Sequence, residues 1–152
     1  MEITQDLESL IAPAAAWCRE YEALALQNGE VLNTAEREIA ARLGVRDIER
    51  VRLWPVDEMP QPSHPILRAA VEQSGFFGPR VQGLTLRYGI FIRRDAWRDF
   101  DLVAHELVHV AQYERFGGIE EFLREYLRQC LTVGYFEAPL EIEARSLWRE
   151  KN

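Results

Sequence analysis

The chain has 152 residues, 47% of them apolar and 28% charged, and a formal charge of −7. That length suffices for one domain with its own core, and the apolar share excludes a disordered chain. The acidic balance argues against nucleic acid and against an anionic membrane surface as partners, because both call for clustered Lys and Arg.

Cys18 and Cys130, the chain's two cysteines, form no CxxC pair and read as buried thiols rather than a disulfide framework or a zinc knuckle. The opening MEITQDLESLIAPAAAWCREYE carries acids where a signal peptide carries bases. No run reaches the roughly 20 apolar residues of a spanning helix. A cytoplasmic protein is the expectation.

In chain order, residues 13–27 predict a helix, with Pro13 in its first turn and Asn28-Gly29 closing it. A second helix follows the cap Asn33-Thr34 and stops at Gly44. IERVRLWPV (48–56) alternates as a strand ending at Pro55. Pro55, Pro60, Pro62 and Pro65 make the next stretch an irregular connector, and 65–74 a short helix ended by Gly75. Alternation in GLTLRYGIFIRR puts Leu84, Leu86, Tyr88, Ile90 and Ile92 on one face and Thr85, Arg87 and Arg93 on the other. It reads as one long strand or a tight hairpin broken near Gly89. Three helices follow. The first covers about Asp99 to Phe116 and ends at Gly117-Gly118. The second, 119–131, buries Ile119, Phe122, Leu123, Tyr126, Leu127 and Cys130, and Pro139 opens the third, 139–150. Asp95 and Asp99 interleave the basic run RRDAWR, so it reads as a solvated surface. The four tryptophans read as core. No repeat or internal boundary interrupts residues 1–152, which read as a single domain.

Within FDLVAHELVHVAQYERFGG (100–118), two of the chain's three histidines stand four apart. At about 100° per residue, His105 and His109 project within roughly 40° of one another, one turn apart. Two imidazoles so placed can take adjacent corners of a tetrahedral zinc. Glu106 lies around the helix from His105, where a general base reaches a water held by the metal. The uncharged residues Val103, Ala104, Leu107, Val108, Val110 and Ala111 predict that this helix is buried around the site.

A catalytic zinc usually has three protein ligands. Arg115 stands where a metzincin carries its third histidine, and Cys18 lacks the surroundings of a deformylase ligand. Glu114 faces away, and Glu120, Glu121 and Glu125 lie on a solvated face. His64 remains possible, although a helix-entry cap or a surface role is its ordinary reading. Glu141 and Glu143 flank the apolar arc Leu140, Ala144, Leu147 and Trp148, and helical geometry leaves both open.

Across about residues 83–148, the HELVH helix followed by Glu141-Ile142-Glu143-Ala144-Arg145 resembles the gluzincin zinc metallopeptidases, in particular the small minigluzincins. The resemblance implies an α+β zincin-like fold. A short antiparallel or mixed sheet would pack on the active-site helix, with further helices towards both termini. It also implies Zn2+ held by His105, His109 and Glu141, Glu106 as the base, and hydrolysis of peptide bonds in a peptide or protein substrate. An extended substrate would add to the sheet edge formed within 83–93. Arg145 departs from the pattern, because the family has there an acid that accepts a hydrogen bond from a ligand imidazole, and arginine has no acceptor. Asp101 or a backbone carbonyl is the replacement to look for. Tyr135, Tyr88 and His64 are the available donors to an oxyanion. Hydrolysis of a small amide and a non-catalytic zinc scaffold stay open as alternatives.

Overall fold

The structure is a computed structural model that describes residues 3–74 and 81–151; Gly75, expected to end a helix, lies outside them. The chain opens with α1 (Ile3–Asn28), not at Pro13 as expected. Leu7, Leu10, Ile11, Ala14, Ala15 and Cys18 recur at helical spacing and are all buried. That continuous apolar stripe outweighs the hydrogen bond that Pro13 removes.

Helix α2 (Thr34–Arg42) has the expected start. Asn33 accepts from the Glu36 backbone, and the Glu36 carboxylate accepts from the Asn33 N–H, a reciprocal capping box. The strand foreseen over 48–56 is shorter. Ile48–Arg50 forms a single 3-10 turn, and β1 covers Arg52–Val56. β1 is an outer strand, the place where a Pro55 without an N–H is tolerated. After the proline-rich connector come α3 (Pro65–Ser74), β2 (Gly83–Leu86) and β3 (Gly89–Arg93). The last three helices are α4 (Phe100–Phe116), α5 (Ile119–Val133) and α6 (Pro139–Lys151).

The three strands form one mixed sheet in the order β1-β3-β2. β1 runs parallel to β3, and β2 is antiparallel to it. The segment 83–93 is therefore the hairpin alternative, and the single apolar face expected for it is corrected. Leu84 pairs with Phe91 and Thr85 with Ile90, and directly paired residues share a face. Leu84, Leu86 and Phe91 enter one core with α1 and α5, whereas Tyr88, Ile90 and Ile92 enter a second with α2 and α4. Thr85 goes with the second face and is buried against α4. The two-residue turn resets the alternation. Its first residue, Arg87, takes φ 56°, a conformation that a side chain disfavours. The buried Glu22 carboxylate holds it by accepting from Arg87 Nε at 2.7 Å, Arg87 NH2 at 2.8 Å and the Tyr88 N–H at 3.0 Å.

The fold is thus a small α+β arrangement with helices on both sheet faces. No helix among the described residues is long and apolar enough to cross a membrane. Cys18 and Cys130 are both buried and unpaired. The face of α5 expected to be buried, Ile119 through Cys130, is buried at every named position.

Candidate metal centre

Helix α4 begins where Asp99 accepts a hydrogen bond from the Leu102 N–H, and it ends at Gly117, whose φ of 95° suits a residue without a side chain. The apolar stripe between these caps packs under the sheet and fixes the helix's rotation. His105 and His109 then point towards the N-terminal turn of α6, their rings 5.1 Å apart. Gln129 of α5 places that turn by accepting from the Leu140 N–H at 2.9 Å. Glu141 follows, 1% exposed.

His105 Nε2 lies 3.2 Å from Glu141 Oε1, and His109 Nε2 lies 3.0 Å from Glu141 Oε2. One donor atom from each residue falls within 4.8 Å of the others, which makes these three a possible metal-binding group. The spacing suits a small tetrahedral cation. Bonds of about 2.0–2.2 Å at tetrahedral angles separate neighbouring donors by about 3.3 Å. Glu143 is not part of the group. Its carboxylate accepts from Gln112 Nε2 at 2.7 Å and from Arg115 NH2 at 2.9 Å. His64 is not part of it either; its Nδ1 accepts from the Leu67 N–H at 3.2 Å and caps α3.

The electrostatics follow from burial. Desolvation alone would lower the His109 pKa, but the neighbouring Glu141 carboxylate more than reverses this and raises it to about 9. Burial likewise pushes Glu141 up, and the two imidazoles overcome it and hold the carboxyl well below its ordinary range. Tyr126 also donates to Glu141 Oε2 at 2.6 Å. Sequence reasoning placed Tyr126 in the core without this role.

The side-chain acceptor beside His109 is Gln112, not the foreseen Asp101, which is exposed in the first turn of α4. Gln112 Oε1 lies 2.8 Å from His109 Nδ1, while its Nε2 donates to the Leu140 carbonyl at 3.0 Å and to Glu143. With the amide nitrogen engaged by two acceptors, the amide oxygen must be the atom facing the imidazole. Nδ1 therefore keeps its proton towards Gln112, and the proton that a metal would displace is the one on Nε2, which faces Glu141. The one available signal was a glutamine inside an apolar run, VAQY, since a buried amide has to find partners.

Glu106 is 4% exposed, and no ion pair joins it to an arginine or lysine among the described residues. Thr85 Oγ1 lies 2.7 Å from Glu106 Oε1 and 3.1 Å from the Glu106 carbonyl oxygen. A side chain at Gly83 would meet Glu106 Oε2 at 2.9 Å. Two cavities meet here, sharing Gly83, His105, Glu106 and Tyr135 in their walls. One is an apolar chamber of about 80 Å3 reaching between α1, α3 and α5, past Ala14, Leu67 and Leu127. The other is an open groove of about 830 Å3 between the start of α4 and the outer face of α6. Of the foreseen oxyanion donors, Tyr135 stands at this junction. Tyr88 does not, because its hydroxyl donates to Glu114 at 2.8 Å on the far side of α4.

No protein-family model, curated protein or solved structure significantly matches this chain. The group of His105, His109 and Glu141, with the buried Glu106 carboxylate beside it, is therefore read on its own chemistry.

Proposed function

We propose that this chain is a zinc-dependent metallopeptidase of gluzincin type, with His105, His109 and Glu141 as the ligands of Zn2+ and Glu106 as the general base. The observation that carries the reading is the position of Glu106. It is a buried carboxylate with no arginine or lysine partner among the described residues, outside the ligand group and in the wall of the same cleft. Burying such a charge costs stability unless a use keeps it there.

Zinc in this group would supply Lewis-acid chemistry, polarising a carbonyl and lowering the pKa of water towards about 7. The protein's own groups do the rest. Gln112 and Glu143 orient His109, and Tyr126 orients Glu141. Glu106 accepts a proton from the attacking water and delivers it to the leaving amine. Tyr135, at the junction of the cavities, is the donor to the developing oxyanion. Peptide binding draws on the outer edge of β2. The Arg93 N–H donates to the Gln82 carbonyl, so by alternation the backbone groups of Gly83 and Thr85 face outward. Tyr113 Oη lies 3.3 Å from the Thr85 carbonyl oxygen and takes it, which directs backbone pairing with a substrate to Gly83.

The test is chelator-sensitive cleavage of an unfolded protein such as casein by wild type and Glu106→Gln. The variant should keep its zinc and lose at least about 100-fold in kcat. Equal turnover in the two proteins would refute the assignment of the base.

A further inference from the structure

The geometry points to Thr85 as a positioning residue that, with the bare Cα of Gly83, seats the Glu106 carboxylate on β2; the inference rests on the hydrolase reading above. A glutamate beginning on a helix has three rotatable side-chain bonds, and the imidazoles and any bound cation draw its charge towards them. A base that swings into the ligand group stops being a base. Something has to hold it out.

Two features of β2 do so. Thr85 is buried on the face that meets α4, and its hydroxyl reaches Glu106 Oε1 at 2.7 Å. The hydroxyl has one proton, and the charged oxygen, nearer than the Glu106 carbonyl at 3.1 Å, takes the larger share. Oε1 is thereby committed to the sheet, leaving Oε2 for proton transfer. Gly83 makes the space. A β-carbon there would lie 2.9 Å from Glu106 Oε2 and 3.0 Å from Leu102 Cδ1, so a larger residue forces the carboxylate or Leu102 to shift. Thr85 is itself fixed in register, since Tyr113 donates to its carbonyl and stacks on Phe122 with centroids 3.8 Å apart. The seat is thus anchored to the core of the protein. It also explains why a threonine occupies a strand position flanked by Leu84 and Leu86 and facing Ile90: a residue of valine's shape that can donate a hydrogen bond.

Thr85→Val keeps the shape and deletes the donor, and Thr85→Ser keeps the donor. In the full chain, Thr85→Val should lower kcat by about 10- to 100-fold with KM and zinc content unchanged, and Thr85→Ser should recover most of it. In a Glu106→Gln background, Thr85→Val should cost nothing further, whereas a merely structural residue would cost the same factor again. Crystal structures of chelated wild type and chelated Thr85→Val give a readout independent of turnover: the Glu106 carboxylate should leave β2 only in the variant. Wild-type kcat in Thr85→Val, or an unmoved carboxylate, overturns the inference. If wild type shows no chelator-sensitive turnover, the hydrolase reading fails instead, and the position of the carboxylate still decides the seat.

Discussion

The amide of Gln112 touches His109, Leu140 and Glu143 at once, so it ties the orientation of His109 to the helix that carries Glu141. Gln112→Leu keeps the volume and removes every polar contact. It should weaken zinc binding by about 10- to 100-fold, read by competition with a chromogenic chelator. An unchanged affinity would show that packing alone aims the imidazole. The pairing of His105 with His109 was legible in the sequence because a helix converts a spacing of four into a shared face. Choosing Glu141 over Glu143 needed the family pattern, since both flank the same apolar arc; the structure separates them by what each touches. Gln112 and Thr85 were not legible as partners of the site. Gln112 holds Leu140 and Glu143, and Thr85 holds Glu106, all far along the chain, and no periodicity reports such contacts.

At the scale of the element, α1 and the hairpin show where local rules yield to packing. Pro13 reads as a helix start, yet it lies within α1 because the stripe on either side of it packs against α5 and the sheet. Pro13→Ala restores a backbone donor in mid-helix. It should stabilise the protein by about 1–2 kcal/mol after the greater freedom of the unfolded chain is counted, measured by urea denaturation. A destabilised variant would mean that the proline's ring is itself a needed contact. For 83–93, strict alternation described each strand correctly but not their relation, since a two-residue turn changes which residues share a face. Helices α2, α4, α5 and α6 were legible because caps and apolar stripes agree there. Asn33, Asp99, Gly117 and Pro139 each mark a boundary that the structure keeps to within a residue or two.

For the molecule as a whole, the coupled charges of His109 and Glu141 link stability, pH and metal. Without metal, the raised His109 pKa makes its contribution complete below the ordinary value of 6.5 and lost as pH climbs through about 9. The lowered Glu141 pKa makes its contribution complete above the ordinary 4.5 and lost as pH falls below it. The stabilisation from this pair in the chelated protein is therefore greatest between 4.5 and 6.5, and Tm should fall from pH 6.5 to pH 9. Zinc competes with the proton on His109, so the rise in Tm on adding zinc should grow over the same interval. Thermal scans with and without chelator check both signs, and parallel curves would contradict the coupling.

The most direct test is the zinc content of purified protein, measured by plasma mass spectrometry after dialysis against limiting metal. The predicted result is one zinc per chain in wild type, Glu143→Ala and His64→Ala, and its loss in His109→Ala and Glu141→Ala. Full zinc content in a folded Glu141→Ala protein would contradict the account.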